Sequence, residues 1–391
     1  MRSKIQNLKS RIVIVGAGPA GASLAIRLAE SGFETVLIER ERFPRQKLCG
    51  EFISPECLSH FRELGVLDSM LVAGGDRIYE TRFFETGGKW ITVPSSWFGN
   101  GDFALSLSRA EMDNQLLRRA KELGVTVREG AAMSSVTIED NQIKTVAYRS
   151  DDGQISEMHA DIFVDATGRA GALARSVERA GAHGPKTLPK PEFVGFKAHI
   201  SDVAVSPGSC EIYSFPGGYA GLSHVENGLS NLCFLIRSKT VRSLAGDADE
   251  IVERVVKRNK RASAALAGYA MSGEWLAVSI SGFGTKDPAP ASNLFTVGDA
   301  ASFIDPFTGS GMVMALESAE ALAKVMIENR DSPHMIAARY REEYRRRFSN
   351  RLRVCSVLRR TAFMPRLATT AVYTLGISSA ARRILARATR R

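Results

Sequence analysis

The chain has 391 residues, of which 44% are hydrophobic and 24% are charged, and this composition excludes a disordered or fibrous protein. Residues 1–10 are polar and basic and the uncharged segment 367–381 is short, so we expect neither a secretory signal nor a membrane span. Five cysteines without paired spacing indicate a reducing, cytoplasmic location. No Cys/His cluster has the spacing of metal ligands, so we also expect no metal.

The positive charge is concentrated at one end of the chain. The net charge is +10, but residues 339–391 contain fifteen arginines, no lysine and two acids, which gives this segment +13 and leaves −3 for the rest. Any argument about an acidic partner therefore concerns the C-terminal end alone.

The first predicted elements form a strand–helix–strand unit. The β-branched run 12–15 predicts a buried parallel strand, and a glycine-rich turn over 16–21 leads into a helix that ends before Gly32. A second strand over 34–38 ends in Glu39. The helix N-terminus would face phosphates with free N–H groups, and Glu39 could accept hydrogen bonds from a ribose diol. This arrangement predicts a dinucleotide site rather than an ordinary glycine turn.

The three glycines of this turn have separate expected roles. Gly16 allows the tight turn, Gly18 lets a pyrophosphate touch the backbone, and Gly21 lets the helix pack closely on the strand. Their spacing alone is a weak signal, and it gains weight from the strand, helix and terminal acid arranged around it.

A loop and a hairpin are predicted next. The segment 41–55 has no clear period and contains Cys49-Gly50-Glu51 before a helix capped by Ser54. The segments 77–85 and 89–93 are joined by a pair of glycines and predict a β-hairpin.

A helix and two groups of strands follow. Ser108 and Glu111 form a capping box that opens a long amphipathic helix. The strands of a small antiparallel unit are predicted over 125–128, 135–139 and 144–149. A buried strand follows over 160–164, and alternating segments between residues 192 and 236 predict an antiparallel sheet of at least four strands.

A second cofactor motif stands further along the chain. The strand 293–297 delivers Asp299, whose carboxylate could bind a ribityl hydroxyl. Gly309 and Gly311 open a helix of small residues over 310–327, and its N-terminus could lie beside the negative edge of a reduced flavin. The segment alone could be an ordinary acid-ended loop, but an extended FAD needs this contact together with the N-terminal one.

These motifs together resemble flavoproteins of the para-hydroxybenzoate hydroxylase fold and, within that fold, the geranylgeranyl-reductase-like family of FAD-dependent oxidoreductases. The resemblance covers roughly residues 11–330. It implies an α/β fold with a discontinuous Rossmann-like FAD-binding domain, an antiparallel β-sheet substrate domain that roofs the flavin, and a C-terminal helical tail. The implied boundaries are 1–76, 101–184 and 283–330 for the FAD-binding domain, 77–100 and 185–282 for the substrate domain, and 331–391 for the tail.

The resemblance also implies which residues contact FAD. Arg40 would lie near the adenosine, Arg109 at the pyrophosphate, and the backbone near Met133 against the adenine. The full implied set is Gly16, Gly18, Ala20, Gly21, Glu39, Arg40, Cys49, Arg109, Met133, Asp299, Pro306, Gly309, Ser310, Gly311 and Met312.

The chain departs from the hydroxylases and the halogenases of this fold. Aromatic hydroxylases carry Ala-Asp-Gly where this chain has Ala166-Thr167-Gly168, which is similar to the reductase and halogenase branches. The paired tryptophans of flavin halogenases are missing, which makes halogenation the weakest enzyme alternative. The lysines with no assigned position are Lys89, Lys186 and Lys197.

The chain also departs from the prenyl reductases. Their pattern Pro-x-x-Tyr-x-Trp-x-Phe-Pro is matched at Pro216 and Tyr219, but the bulky aromatic residues and the last proline are replaced. The replacing residues are Gly221, Ser223 and His224. The fold assignment is unaffected, whereas specificity for a prenyl chain does not follow from this segment.

Three side chains are candidates for catalysis: Cys49, Tyr219 and His224. Cys49 sits where the resembling reductases bring a cysteine near the flavin; it could donate a proton to carbon or could be a small packing residue. His224 lies on a strand of the predicted roof, with a structural role as the alternative. Tyr219 would line the substrate face together with Tyr213 and Phe215 if the strands alternate, with the sheet core as the competing interpretation.

The implied function is that of an FAD-dependent oxidoreductase acting on a lipid, isoprenoid or polyketide, with hydride transfer from reduced FAD to a C=C bond. The alternatives are a monooxygenase, a halogenase and, from another class, a non-catalytic carrier of lipid-modified cargo. No second nucleotide fold is visible, so NAD(P)H would bind transiently or a ferredoxin-like donor would replace it.

The arginine-rich end predicts an amphipathic helix. Apolar residues recur at three- and four-residue steps over 340–358, with arginines on the other faces, and Pro365 ends the pattern. The apolar face could dock on the FAD-binding domain, or the helix could lie peripherally on the anionic inner face of a membrane. Nucleic-acid binding is disfavoured because no binding module is visible.

Overall fold

A computed structural model of the chain describes residues 11–99, 101–181, 190–281, 283–304, 309–362 and 378–388. Its strands, in chain order, are β1 (Arg11–Val15), β2 (Glu34–Ile38), β3 (Phe52–Ile53), β4 (Asp76–Ile78), β5 (Glu80–Phe84), β6 (Trp90–Pro94), β7 (Ala104–Ser106), β8 (Thr126–Arg128), β9 (Ala131–Glu139), β10 (Gln142–Ser150), β11 (Ile155–His159), β12 (Ile162–Asp165), β13 (Phe193–Ser201), β14 (Ser209–Phe215), β15 (Gly218–His224), β16 (Ser230–Arg237), β17 (Ala270–Met271), β18 (Leu276–Ile280), β19 (Gly284–Thr285), β20 (Leu294–Thr296) and β21 (Ser302–Phe303). Its helices are α1 (Pro19–Glu30), α2 (Pro55–Glu63), α3 (Leu67–Val72), α4 (Arg109–Glu122), α5 (Ala172–Gly181), α6 (Ser238–Ser243), α7 (Ala248–Arg254), α8 (Lys260–Ala265), α9 (Gly311–Glu328), α10 (Ile336–Ala362) and α11 (Ser379–Ala388).

A five-stranded parallel sheet forms the centre of the first unit. Its strand order is β20-β12-β1-β2-β8. Ile12 and Ile14 pack on one side with residues of α1, α4 and α9, whereas Val13 and Val15 pack on the other side against β9 and β10. The carboxyl ends of the strands meet at one edge, which is where ligands of open parallel sheets bind.

The placement of residues 125–128 in the small antiparallel unit is wrong. This segment forms β8, the edge strand of the parallel sheet, with Thr126 opposite Val36 of β2. It follows helix α4, which packs beside α1, and this packing returns the chain to the open edge of β2. The small antiparallel sheet instead consists of β9, β10 and β11.

The second large sheet, called the roof sheet below, has the order β17-β13-β16-β15-β14-β5-β6, and β18 also pairs with β13. Its strand pairs are antiparallel except for β14 with β5. The predicted hairpin is confirmed as β5 and β6, and it joins this sheet. Residues of α7 and α8 cover one face, where Phe196, Ala220 and Phe234 are buried.

The turn from β14 to β15 decides which face of the roof sheet each tyrosine lies on. Ser214 pairs with Tyr219, so Tyr219 faces away from Tyr213 and Phe215. Tyr213 and Phe215 lie in the helix-covered core, and the prediction that they line the same face as Tyr219 is wrong. Tyr219 packs with Phe193 on the opposite face.

The first part of helix α10 docks on the parallel-sheet unit. Tyr340, Tyr344 and Phe348, which belong to the predicted apolar stripe, are buried in the same core as α1 and α9. Arg351 pairs with Glu317 of α9 across this contact. Pro365 lies outside the described residues. Within the described part of the chain, no helix is long and apolar enough to cross a bilayer.

Candidate functional site

The glycine-rich turn lies at the carboxyl end of β1. Gly16 has φ +105°, and a Cβ there would lie 2.3 Å from the carbonyl oxygen of Ala166. A Cβ on Gly21 would lie 1.9 Å from the carbonyl oxygen of Gly16. Only glycine at these two positions therefore lets α1 and the β12 loop approach β1 this closely.

A cluster of cations surrounds Gly18. The nearest described atoms to a Cβ on Gly18 are guanidinium nitrogens of Arg45 and Arg109, each 4.0 Å away. Arg109 donates hydrogen bonds of 2.7 and 2.9 Å to the buried carboxylate of Asp113, and Arg45 lies 3.0 Å from the same carboxylate. Burial and the charges of Arg45 and Arg109 lower the pKa of Lys47. One carboxylate thus fixes two guanidiniums, and the surplus positive potential suits a pyrophosphate.

Glu39 ends β2 with its carboxylate turned toward the glycine-rich turn. Its Oε2 accepts a hydrogen bond from the N–H of Ala17 at 2.8 Å, and its Oε1 accepts one from the N–H of Glu41 at 3.0 Å. The side chain is buried, and these contacts hold it where the ribose diol of a dinucleotide binds in this type of unit.

Arg40 and Met133 lie near this end of the site. The N–H of Ala131 donates to the carbonyl of Glu39 at 2.8 Å, which brings the start of β9 beside the end of β2. Met133 is partly buried against the core beneath β9. Arg40 is exposed and pairs with Glu41. Their contact with an adenosine stays a prediction.

Asp299 occupies a tight turn after β20. A Cβ on Gly298, which has φ +60°, would lie 3.0 Å from the side chain of Ala20, so this turn packs directly on the start of α1. Burial raises the pKa of Asp299 to about 6, although the charges of Arg169 and Arg109 act in the opposite direction. The carboxylate therefore shares its environment with the cations that surround the glycine-rich turn.

The N-terminus of α9 follows Asp299. Gly309 has φ +61°, Ser310 is fully buried as the N-cap, and the helix begins at Gly311, as the sequence predicts to within a residue. Met312 packs on the core of the parallel-sheet unit. Pro306 lies outside the described residues, and its predicted contact with FAD stays a prediction.

Cys49 lies in a loop between the cation cluster and the roof sheet. The N–H of Glu51 donates to its sulfur at 3.4 Å, and Nδ2 of Asn231 on β16 donates to its carbonyl at 3.2 Å. Although burial opposes the effect, the charges of Asp113 and Cys49 raise the pKa of Arg109. The half-buried thiol is therefore within interaction distance of this arginine.

Glu51, two residues further on, is fully buried and accepts hydrogen bonds from both sides of the loop. Its Oε1 accepts from the N–H of Arg109 at 2.8 Å and from Nζ of Lys197 at 2.5 Å, and its Oε2 lies 2.7 Å from Nε2 of His199. Lys197 also donates to Gln46 at 2.9 Å. Although burial opposes it, the hydrogen bond of His199 and the charge of Lys197 lower the pKa of Glu51. The loop is thereby fastened to β13.

The roof-sheet face beside this loop carries a cluster of apolar side chains. Phe193, Tyr219 and Leu235 pack together, and Phe283 and Phe303 extend the cluster with stacked rings whose centroids are 5.0 Å apart. A cavity of about 860 Å³, to which these two phenylalanines also contribute, lies between them and α10. The apolar cluster suits the binding of a hydrophobic molecule.

The structure does not bring His224 to this face. Its Nδ1 lies 2.9 Å from the hydroxyl of Ser230, and its Nε2 lies 2.8 Å from the carbonyl of Val205. Val205 belongs to the helix-covered core. Both ring nitrogens thus make contacts on the far side of the sheet. A catalytic role of His224 stays a prediction.

Sequence reasoning missed Arg45, Asp113, Glu51 and His199. The spacing of Arg109 and Asp113 was visible as a helical i,i+4 pair, but such pairs usually lie on solvated faces. Lys197 and His199 alternate on a predicted strand, which signals a shared face but not the buried acid that they meet.

One group of potential metal ligands lies together among the residues that the structure describes, namely His60, Glu63 and Glu320. Arg27 donates to Glu63 at 3.0 Å, and Arg347 donates to Glu320 at 2.7 Å. Because these arginines already neutralise the carboxylates, we assign no metal to the group, and the expectation of no metal stays a prediction.

Known proteins resemble the chain over most of its length. Residues 9–352 match the model of the FAD binding domain family. The chain is 27% identical over 349 residues to digeranylgeranylglycerophospholipid reductase 2 of Methanopyrus kandleri, a match that covers 86% of this chain and 82% of the reductase. It is 26% identical over 319 residues to tryptophan 2-halogenase of Chondromyces crocatus; that match covers 79% of this chain but only 59% of the halogenase.

The fold also resembles solved structures. The flavin-dependent brominase Bmp2 superposes with a TM-score of 0.80 at 17% identity, over 97% of this chain and 93% of the brominase. At this identity the likeness concerns the fold alone.

Proposed function

This chain belongs to the FAD-binding-domain family and is an FAD-dependent oxidoreductase, and we propose that it reduces a carbon–carbon double bond in a hydrophobic molecule of the isoprenoid or lipid class. The observation that carries the proposal is the position of Cys49, between a cation cluster at the glycine-rich turn and the apolar face of the roof sheet. A thiol in this position can deliver a proton to a substrate that lies on the apolar face.

The residues of the site fit FAD. Gly18 lies beside two guanidiniums that a buried acid holds in place, and the carboxylates of Glu39 and Asp299 stand at the two ends of the cradle. Glu39 would hold the ribose, Arg45 and Arg109 the pyrophosphate, and Asp299 the ribityl chain, while the N-terminus of α9 would face the ring. Bound FAD, once reduced, supplies the hydride.

The chain's own residues supply the rest of the reaction. The apolar cluster of Phe193, Tyr219 and Leu235, continued by Phe283, binds the substrate and excludes water. Cys49 gives its thiol proton to the carbon that does not receive the hydride, so that two hydrogens are added in all. Arg109 stabilises the thiolate that remains.

The reductase of Methanopyrus kandleri supports this assignment because the match spans most of both chains. Its name specifies a phospholipid that carries geranylgeranyl groups, and we propose a substrate of similar chemistry. The electrons would come from NAD(P)H bound transiently or from a ferredoxin-like protein.

The direct test is anaerobic reduction of a candidate substrate. FAD-loaded protein, reduced with dithionite, is mixed with a phospholipid that carries geranylgeranyl chains, and the products are analysed by mass spectrometry. We expect products heavier by two hydrogens for each bond reduced. Cys49→Ala should slow their formation, whereas Cys57→Ala, at a buried cysteine away from this loop, should not. A protein that is colourless and takes up no FAD would instead support the carrier alternative.

Oxygenation or halogenation is the second candidate, because a halogenase and a brominase are among the similar proteins. The lysines weigh against halogenation: Lys197 is buried and held by Glu51 and Gln46, Lys89 is exposed at the β5–β6 turn, and Lys186 lies outside the described residues.

Mixing the reduced protein with oxygenated buffer in a stopped-flow instrument separates these activities. Direct return of the oxidised flavin spectrum is expected of the reductase. A transient species that halide or substrate prolongs would overturn our preference.

A further inference from the structure

The buried acid Glu51 ties the Cys49 loop to two other elements. Its carboxylate accepts hydrogen bonds from the N–H of Arg109, at the start of α4, and from Lys197 on β13, and it meets His199 on the same strand. Lys197 and Glu51 are almost completely buried, whereas the side chain of His199 is 10% exposed. The cluster formed by Glu51, Lys197 and His199 therefore extends from the interior toward solvent.

The charges of Glu51 and Lys197 also influence the pKa of a second cysteine, Cys233. Cys233 of β16 stands opposite Lys197 in the roof sheet. Burial raises its pKa above the usual value, the charges of Cys49 and Glu51 raise it further, and Lys197 lowers it. Asn231, which stands opposite His199 on the same strand pair, donates to the carbonyl of Cys49 at 3.2 Å, so the Cys49 loop lies against these two strands. Cys49 is thus linked to Lys197 through Glu51, whose N–H donates to the sulfur of Cys49 and whose carboxylate accepts from Lys197.

We propose that Glu51, Lys197 and His199 are positioning residues that control and restore the proton on Cys49, a role that rests on the proposed reduction. After the thiol gives its proton to carbon, the thiolate takes a proton from the ammonium of Lys197, so that an N–H bond breaks and an S–H bond forms. Lys197 regains a proton through Glu51 from His199, which exchanges with solvent. Among the described residues, the cation Arg109 from α4 and the thiol of Cys233 also interact with Cys49.

The test titrates the ultraviolet absorbance of the Cys49 thiolate in FAD-loaded protein, taken as the difference from Cys49→Ser. Lys197→Met removes a cation near the thiolate and should move the titration midpoint up by about one pH unit. Glu51→Gln removes an anion and should move it down by a similar amount. A loss of structure cannot give these opposite signs. His199→Asn should give a titration midpoint between those of Lys197→Met and Glu51→Gln.

A double variant and a surface control complete the design. Breaking a buried ion pair from one side destabilises proteins, so Glu51→Gln with Lys197→Met provides a neutral pair, and its midpoint should fall between those of the single variants. Lys257→Met, at the surface pair with Glu253, should leave the midpoint unchanged. Single variants that shift the midpoint in the same direction, or not at all, would overturn the proposal. Because the titration needs no substrate, a failed reduction assay would refute the proposed function without touching this result.

Discussion

Arg45 and Arg109 direct their guanidinium groups at one carboxylate, that of Asp113, although Arg45 lies on a loop and Arg109 begins helix α4. The carboxylate is fully buried and so is shielded from water and salt. It fixes both cations beside Gly18 before any ligand arrives, and preorganised guanidiniums bind phosphate oxygens without a further loss of side-chain freedom.

Asp113→Asn should therefore weaken FAD binding by about tenfold or more, because charge-assisted hydrogen bonds are lost and both guanidiniums become mobile. Titration of the FAD-free protein by quenching of flavin fluorescence measures the affinity. Asp140→Asn, at an exposed turn, is the matched control and should bind FAD normally. Unchanged affinity in Asp113→Asn would show that the two arginines do not contact the cofactor.

Alanine substitutions at Gly18 and Gly21 should have different effects on FAD affinity and on the free energy of unfolding. Gly18→Ala places a methyl group 4.0 Å from its nearest described neighbours, so the free energy of unfolding should stay within about 1 kcal/mol of the wild type while FAD affinity falls. Gly21→Ala meets a backbone carbonyl at 1.9 Å and should lower the free energy of unfolding by roughly 3 kcal/mol or more. Thermal unfolding and FAD titration of both variants give the two quantities. Equal loss of stability in both would contradict the assignment.

Asp299 should make the stability of the FAD-free protein depend on pH. Burial raises its pKa from 3.8 to about 6, so between these values the folded chain holds more protons than the unfolded chain. Stability contributed at this site is therefore present at low pH and is lost as the pH rises through about 6. Asp299→Asn removes the effect and should be more stable than the wild type by roughly 1–3 kcal/mol at pH 7 but not at pH 4.

Urea unfolding of both FAD-free proteins across this pH range tests the prediction. A difference between them that is the same at every pH would count against a raised pKa of Asp299. Asp299→Asn should also bind FAD more weakly, because the amide is a poorer acceptor for ribityl hydroxyls.

The parts of the site that could be predicted from the sequence depend on neighbours along the chain. The N–H of Glu111 donates to the hydroxyl of Ser108, which is one half of the predicted capping box, whereas the N–H of Ser108 donates to Glu226. The clashes that a Cβ would make at Gly16 and Gly21 match the roles assigned to these glycines. Such features follow from local backbone geometry, which a short pattern specifies.

The parts that could not be predicted depend on contacts between distant segments. The ion pair between Glu51 and Lys197 requires the loop after β2 to reach β13. The two residues are 146 positions apart in the chain, and no local sequence pattern predicts a contact between such distant segments. The face of Tyr213 depends on the length of a turn, because a shift of one residue moves a strand's side chains to the opposite face. The orientation of His224 likewise depends on a distant segment, because the carbonyl oxygen of Val205 lies 2.8 Å from its Nε2.

The arginines of α10 give the last prediction. Tyr340, Tyr344 and Phe348 are buried in the core, so a chain cut before this helix would lose core packing and could not test membrane contact cleanly. Arg345 and Arg353 are exposed instead. If the tail lies on an anionic membrane, as we propose, Arg345→Gln with Arg353→Gln should reduce binding to phosphatidylglycerol-containing vesicles by roughly thirtyfold, since each cation contributes about 1 kcal/mol at such a surface.

Co-sedimentation with vesicles, with and without the anionic lipid, measures this binding. The wild type should bind the anionic vesicles and should dissociate as salt is raised, because the attraction is screened within a Debye length. Arg254→Gln with Arg258→Gln carries the same change of charge beside α7 and should bind like the wild type. Equal, weak binding of all three proteins would leave the exposed arginines solvated and would refute the membrane contact.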